Sequence, residues 1–381
     1  MSAVLFTEEK MMDKLTWVYD FITKDLYAPY VVDKDENYYD DLKRKYQLLL
    51  KKAKEADADK ESLKILQKYT NKVKEAIRAY YNGKISRSHN LIKNLVKECG
   101  EDTLAVNEIL YSDAFPGSKG TEIQLFRARL SNDAIPYKAK DMLHLPLSMR
   151  GKTGNYRFSI PGIPSIYLGN TSYACWIELG CPPEYKFNVS PVVIDGNQKI
   201  FNLAVMTRNW GNLNELDEKK VHCWLKLIVL MMATSYTVKE NDRIFKSEYL
   251  ISQSIMLACK ELGYDGVAYF SKRVSDEIFA LASINVALFA PYKYGKKYSE
   301  ICEHIKIDDA FNFSMYKQLG YLYRNCRYPL RLSTTGLIVN IGEYREDRQF
   351  KYSETEFYKF DEFLFSSWKQ KNDIDWGNAL K

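Results

Sequence analysis

The stretch Arg157–Leu168 reads RFSIPGIPSIYL, and it contains clear local signals for a turn followed by a strand. Its Pro-Gly pair predicts a tight turn, because proline presets φ and glycine tolerates the positive φ that many turns need. The apolar run Ile163–Leu168 predicts a strand. Asn170–Ser172 then offers a helix cap, and Tyr173–Leu179 predicts a short helix. We therefore predict a turn–strand–helix unit.

The segments on either side of this unit predict more strands and helices. Leu125–Leu130 alternates apolar and basic residues, as a strand with one buried face does. Val192–Phe201 predicts a β-hairpin around an Asp-Gly turn. Helical spacing and short apolar runs predict the other elements, which are helices over Val221–Ala233 and Ser247–Leu262 and strands over Asp265–Phe270 and Ile284–Phe289. The pattern predicts a mixed α+β domain.

The chain of 381 residues exceeds the usual size of one domain. Apolar residues at helical spacing among charged ones predict an α-helical N-terminal domain over residues 1–115. The turn-rich segment Phe115–Gly120 predicts the boundary. We assign residues 121–295 to the α+β domain and 300–381 to a Tyr- and Phe-rich C-terminal extension whose role the sequence does not give.

Composition argues against several classes of protein. The net charge of +6 is modest, and lysines alternate with acidic residues, which is typical of solvated helix faces and not of a nucleic-acid binder. The seven cysteines include no CxxC pair, which indicates unpaired thiols in a reducing cytoplasm. The four histidines are far apart in the sequence, which argues against a metal site built from neighbouring residues. No secretory signal or membrane-spanning run is visible. We expect a cytoplasmic protein with no membrane, metal or nucleic acid as a partner.

Three familiar catalytic motifs are absent from the sequence. Arg150–Thr153 ends like a phosphate-binding loop, but Pro146 stands where that pattern requires glycine. There is no GxGxxG segment for a dinucleotide fold and no GxSxG elbow for a serine hydrolase.

Four polar residues remain as candidates, and each also has a plainer role. Arg157 could hold a pyrophosphate with its planar fork, or form a surface ion pair. Tyr167 could stack on a nicotinamide or adenine ring, or pack in the core. Glu178 needs solvent or a partner in its packed helix, and it could bind a ribose 2′-hydroxyl and stabilise a cationic sugar. Ser271 ends a strand, where turn chemistry is the alternative.

Together these residues resemble the RES domain, a family named for its arginine, glutamate and serine. The match is carried by Gly154–Tyr167, Ala174–Glu178, Gly263–Ser271 and Asn285–Phe289, in that order. The strand with Phe126–Arg129 is similar to the opening strand of the family. The resemblance covers roughly residues 121–291.

The resemblance implies a fold similar to that of ADP-ribosyltransferases and an activity on NAD⁺. Characterised members are bacterial toxins that consume NAD⁺ or attach ADP-ribose to a protein, and many pair with an antitoxin. A glycosidase-type hydrolase or phosphorylase with a role in bacterial defence is therefore expected, with NAD⁺ as substrate and no further cofactor. An antitoxin or another regulatory protein is the expected partner. The sequence leaves the acceptor, the trigger and the oligomeric state open, a homo-oligomer included.

The resemblance also implies roles for individual residues. Arg157 would bind phosphate or the nicotinamide ribose, and Tyr167 would shape the nicotinamide pocket. Glu178 would stabilise the ribosyl cation, and Ser271 would position the substrate. Three further substrate-binding residues are expected, namely Arg127, Arg129 and Ser159, the last of which stands where many members carry Asn or His.

Two alternatives to an NAD⁺-cleaving enzyme stay open at this point. One is an ADP-ribosyltransferase that acts on a protein target. The other is a binding or sensing module without turnover, in which the N-terminal helices recruit a protein or RNA. The long terminal extensions, which compact toxins of the family lack, motivate this second alternative.

Overall fold

The computed structural model describes residues 17, 21, 28–32, 37–101, 122–132, 136–204, 218–239, 243–274, 283–292, 294–319, 338–340 and 349–366. The chain groups into two compact units. One comprises Met1–Glu108, Phe201–Gly263 and Ser275–Phe279, and the other comprises Ile109–Ile200, Tyr264–Val274 and Ala280–Lys381. The predicted boundary at Phe115–Gly120 lies outside the described residues.

The elements alternate between helices and mostly antiparallel strands, so the α+β class is confirmed. The helices are α1 Tyr38–Glu55, α2 Lys60–Tyr81, α3 Ile85–Gly100, α4 Ser172–Glu178, α5 Glu218–Thr234, α6 Leu250–Glu261, α7 Phe313–Gln318 and α8 Glu356–Ser366. The strands are β1 Ile123–Leu130, β2 Ser165–Gly169, β3 Phe187–Ile194, β4 Ile200–Asn202, β5 Gly266–Phe270, β6 Ile284–Phe289, β7 Ile305–Ile307, β8 Phe311–Asn312, β9 Ile338–Asn340 and β10 Gln349–Lys351.

The first unit is a helical bundle made of α1, α2, α3, α5 and α6. Asn37 caps α1 and Asp59 caps α2, each by accepting a backbone N–H three residues ahead. Tyrosine hydroxyls fix α1 on α5, since Tyr38 donates to the carbonyl of Ala233 at 2.6 Å and Tyr46 to that of Val229 at 2.8 Å. The unit is held by apolar stripes with a few buried polar contacts.

This grouping differs from the division expected from the sequence, in which α5 and α6 belonged to the α+β domain. The reason is the apolar surface of α5, since residues 223–233 are nearly all buried. A helix that is apolar all round must be surrounded by other elements. Here α2 packs on α5 and α3 packs on α6, so both late helices complete the N-terminal bundle.

The second unit is built on an antiparallel sheet with the strand order β5-β6-β2-β1-β3-β7, and β8 also pairs with β3. Ile194 on β3 has neighbours on both sides, namely Ile123 on β1 and Ile305 on β7. The predicted hairpin over Val192–Phe201 is therefore wrong, because no edge of β3 is left for β4. Ile200 at the start of β4 lies beside Gly266 on β5 instead.

One face of this sheet is covered by α4, α7 and α8. Its core is an aromatic cluster that consists of Phe126, Cys175, Phe187, Val189, Val193, Phe313, Tyr316, Phe360, Phe363, Leu364 and Phe365. Part of the predicted C-terminal extension is thus core material of the sheet unit. Ring pairs fill the space between helices and strands, such as Phe313 stacked on Phe357 at 4.9 Å and tilted against Phe360 at 5.1 Å.

Candidate functional site

Glu178 is the last residue of α4, and the local sequence fixes where this helix begins and ends. Thr171 caps the start, because its hydroxyl accepts the N–H of Ala174 at 2.9 Å. Gly180 has a φ of +81°, which ends the helix in a left-handed conformation that glycine adopts without strain. Gly169 lies so close to α4 that a Cβ there would come within 2.9 Å of the Cys175 sulfur. The helix therefore sits directly on the end of β2.

Two buried donors fix one oxygen of the Glu178 carboxylate. The Ser271 hydroxyl donates to Oε1 at 2.6 Å, and the Asn285 amide Nδ2 donates to the same oxygen at 2.6 Å. Ser271 is 0% exposed and Asn285 is 4% exposed, whereas the Glu178 side chain is 34% exposed. Charge-assisted hydrogen bonds of this length are strong. The carboxylate is therefore held in one orientation while it still reaches solvent.

The second oxygen, Oε2, faces Arg273. Its Nε lies 3.8 Å from Oε2, and the guanidinium-bearing side chain is 50% exposed. The backbone N–H of Arg273 also donates to the Ser271 hydroxyl at 3.3 Å. An exposed pair at this distance is weak, so Arg273 can move without a large cost.

The sheet register brings these residues together across long stretches of sequence. Ser271 follows β5, and its N–H donates to the carbonyl of Ser283, just before β6, at 2.8 Å. Asn285 on β6 pairs with Tyr269 on β5 and with Gly169 on β2. The ends of three neighbouring strands therefore meet beside the C-terminal end of α4.

Tyr167 lies on the same sheet face as Asn285. It pairs with Ala287, which is two residues from Asn285, and antiparallel partners and alternate residues share a face. Tyr269, the partner of Asn285, therefore shares this face as well. All three side chains lie on the face over which α4 packs, with Tyr167 in the register row next to that of Tyr269 and Asn285.

The segment that carries Arg157 lies over the two tyrosines of this face. The Phe158 ring is 4.6 Å from that of Tyr269, and the Tyr156 ring is 5.9 Å from that of Tyr167. Arg157, between them, is 8% exposed, and Ser159 is 2% exposed. The structure thus brings Glu178 and Ser271 into direct contact and places the Arg157 segment against the aromatic side chains beside them.

Arg127 and Arg129 lie elsewhere. They alternate along β1 with Phe126, whose ring faces the core under α4, so they point to the opposite face. Arg127 donates to the carbonyl of Tyr167 at 3.0 Å, and both arginines donate to the carbonyl of Leu143. Burial lowers the pKa of Arg127 to about 9. The structure does not bring these two arginines to the Glu178 group, and their role in substrate binding stays a prediction.

Sequence reasoning missed Asn285 and Arg273 as members of the site. Asn285 is a polar residue at the start of an otherwise apolar strand, and that contrast was the available signal. Arg273 is two residues after Ser271 on a turn, where nothing in the sequence distinguishes it from a surface arginine.

Two further properties of the described residues concern metal binding and membranes. They contain no cluster of three or more His, Cys, Asp or Glu side chains arranged to hold a metal ion. In the same part of the chain, every helix is too short or too polar to cross a membrane.

Comparison with known proteins gives a curated relative and a solved structure. The chain is 34% identical over 164 residues to "Putative toxin YopC" of Bacillus subtilis (strain 168). The match covers 40% of this chain and only 37% of that relative's length. The crystal structure of the M. tuberculosis MbcT–MbcA toxin–antitoxin complex aligns with a TM-score of 0.29 and 12% identity, over 59% of this chain and 96% of that one. No protein-family model matches the chain.

Proposed function

We propose that this protein cleaves the bond between nicotinamide and ribose in NAD⁺, with Glu178 as the central catalytic residue. The observation that carries the proposal is the fixed carboxylate. One oxygen accepts two buried hydrogen bonds at 2.6 Å each, and the group as a whole stays accessible. A carboxylate aimed in advance at a developing positive charge needs no rearrangement during the reaction, which is the main source of electrostatic catalysis.

The proposed reaction needs a cation stabiliser more than an acid. The bond from ribose C1′ to the nicotinamide nitrogen breaks, and its electron pair leaves with nicotinamide, whose ring charge is neutralised. The ribose is left as an oxocarbenium ion, which the Glu178 carboxylate stabilises while it binds the 2′-hydroxyl. In the simplest case a water oxygen then attacks C1′ and loses a proton, which gives ADP-ribose.

The other candidate residues take supporting roles. Ser271 acts through Glu178, because its hydroxyl donates to Oε1. Tyr167 and the segment around Arg157 provide aromatic surface for a flat ring and a cation for phosphate or ribose. Ser159 is also proposed to bind substrate, beside the Arg157 segment. Arg127 and Arg129 lie on the opposite face of the sheet from Glu178, so their proposed part in substrate binding is away from the carboxylate. The test for all three residues is the loss of affinity for NAD⁺ on substitution.

A toxic role in the cytoplasm is consistent with this activity. Depletion of NAD⁺ harms a cell, and the similarity to a protein named as a toxin supports such a role. An antitoxin or another regulatory protein would then be needed as a partner. Transfer of ADP-ribose to a protein uses the same first step with another acceptor, so the proposal includes it as a second outcome.

The test is nicotinamide release from NAD⁺ by the full chain, with and without a candidate protein acceptor. Glu178→Gln keeps the size of the side chain and an oxygen for both donors, but it removes the charge. We expect a loss of roughly 100- to 1,000-fold in kcat, the usual effect of removing one stabilising group. The matched control is Glu184→Gln, since Glu184 is an exposed residue of the same unit that pairs with Lys317.

The two variants separate the outcomes. A large loss for Glu178→Gln beside an unchanged Glu184→Gln supports the assignment. Nicotinamide release that survives Glu178→Gln in a folded protein would refute the role of Glu178. No release by the wild type under any acceptor condition would refute NAD⁺ cleavage and favour a binding module.

A further inference from the structure

The C-terminal segment of the chain contacts the helix that carries Glu178. A short 3-10 turn, Tyr352–Glu354, leads into α8, whose residue Asp361 is 1% exposed. Asp361 Oδ1 accepts the backbone N–H of Ser172 at 3.2 Å, and Oδ2 accepts the Tyr352 hydroxyl at 2.6 Å. Ser172 is the first residue of α4. A buried carboxyl group from the far end of the chain therefore binds the start of the candidate catalytic helix.

Aromatic packing holds the two helices side by side as well. The Phe357 ring on α8 lies 5.5 Å from that of Tyr173 and 5.4 Å from that of Trp176, both on α4. At the other end of α8, the Phe365 ring meets the Phe126 ring of β1 edge-on at 5.3 Å. The helix α8 is thus anchored to the sheet, and α4 is anchored to α8.

A helix as short as α4 depends on such outside contacts. It has seven residues, and isolated helices of that length are unstable in water. Its first N–H groups have no partner within the helix. Thr171 accepts one of them and Asp361 accepts another. Glu178 lies six residues after Ser172, or about 9 Å along the axis, so a tilt at the start moves the carboxylate at the end.

We propose that Asp361 is a positioning residue, which fixes the start of α4 and thereby keeps the Glu178 carboxylate in register with Ser271 and Asn285. The C-terminal segment then supports the geometry of the site and is not a separate module. The effect of Asp361 on catalysis rests on the proposed function, whereas its effect on the order of α4 does not.

The groups that face Asp361 come from α8, from the 3-10 turn and from α4. They are Glu362, Tyr358, Tyr352 and Cys175. Burial raises the pKa of Asp361 to about 7. A carboxyl oxygen can accept the Ser172 N–H in either protonation state. Asparagine at this position offers the same acceptor without titrating, and it can also donate to the Tyr352 hydroxyl, whereas leucine offers neither.

The experiment compares Asp361→Asn, Asp361→Leu and the wild-type full chain by two measurements. The first is hydrogen–deuterium exchange of the α4 amides, and the second is nicotinamide release. For Asp361→Leu we expect exchange in α4 to be at least about 10-fold faster and kcat about 10-fold lower, with KM nearly unchanged. Asp361→Asn should restore both values to within about threefold of the wild type.

The matched control is Asp309→Leu. Asp309 accepts the backbone N–H of Ala139 at 2.8 Å, so it makes the same kind of contact at another short helix of this unit. Loss of the Asp309 contact should leave the hydrogen–deuterium exchange of the α4 amides and kcat unchanged, even if the melting temperature of the protein falls. If Asp361→Leu does not fold, Tyr352→Phe removes only the hydroxyl donor, and a two- to threefold faster α4 exchange is then expected as a rough estimate.

The two measurements can fail independently, so a failure of the role of Asp361 is distinguishable from a failure of the proposed function. Protected α4 amides and wild-type kcat in a folded Asp361→Leu would overturn the inference. Faster exchange in α4 without any nicotinamide release by the wild type would support the contact to α4 and refute NAD⁺ cleavage. Loss of Glu178-dependent release with unchanged α4 exchange would show that Asp361 does not act through the helix.

Discussion

Asn285 gives the sharpest test of how the site works, because its amide has one assigned task. Its Nδ2 donates to Glu178 Oε1 at 2.6 Å, and the side chain is buried on β6. Asn285→Ala removes this donor and leaves Ser271 as the other donor to the same oxygen. If Asn285 acts only by orienting the carboxylate, its effect on catalysis must pass through Glu178.

The expected size of the effect follows from the kind of bond. A hydrogen bond to a charged group contributes about 1.5–3 kcal/mol. If that orientation matters mainly in the transition state, kcat falls by roughly 10- to 100-fold, since about 1.4 kcal/mol is a factor of ten. Glu178 is partly exposed, so water can replace the lost donor, and the free energy of unfolding should fall by only about 1 kcal/mol.

The assay is nicotinamide release by four proteins, namely the wild type, Asn285→Ala, Glu178→Gln and the double variant. Residues that act as one unit have strongly non-additive effects. We therefore expect the double variant to match Glu178→Gln within about threefold. Asn188→Ala is the matched control, because Asn188 is a fully buried asparagine on β3 that binds the carbonyl of Lys186 at 3.2 Å. It should lower stability and leave kcat unchanged.

Two results would contradict this role of Asn285. Full activity of Asn285→Ala would mean that the fixed orientation of Glu178 does not limit catalysis. A double variant that loses a further 10-fold or more, in line with the single substitutions, would mean that Asn285 touches the substrate directly.

Two more results are expected, one on stability and one on substrate binding. Burial raises the pKa of Asp361 from 3.8 to about 7. The folded protein therefore binds this proton more tightly than the unfolded chain does. The resulting contribution to stability is complete below pH ~4 and is lost as the pH rises to ~7. The unfolding free energy of Asp361→Asn relative to wild type should therefore increase by up to roughly 4 kcal/mol over that range in urea titrations, and a constant difference would contradict it. Tyr156 is 56% exposed and edge-on to Tyr167, so it should contribute to stacking on a ring of NAD⁺. Tyr156→Ala should then raise KM for NAD⁺ by roughly 3- to 10-fold with kcat unchanged. An unchanged KM would exclude such a role.

Local sequence predicted most elements of the sheet unit correctly. The strand over Ile284–Phe289 and the helix over Tyr173–Leu179 were found at the right places, because apolar runs and caps are local signals. The hairpin over Val192–Phe201 was wrong, although the Asp-Gly turn exists there. A turn signal fixes the chain reversal, but strand partners depend on which sheet edges are already occupied.

Local sequence was enough to predict the chemical groups of the candidate site. They are an arginine between two aromatic residues before a turn, a glutamate at a helix end and a serine after a strand. Their order and local structure are set by residues within a few positions. The folded chain adds what no segment could show, namely that Ser271 and Asn285 donate to the same oxygen of Glu178 from 93 and 107 residues away. It likewise shows that Asp361 reaches the start of α4 from 189 residues away. Such contacts depend on strand register and helix docking. Both are set by the sum of many apolar contacts between distant residues, so no short segment of sequence predicts them.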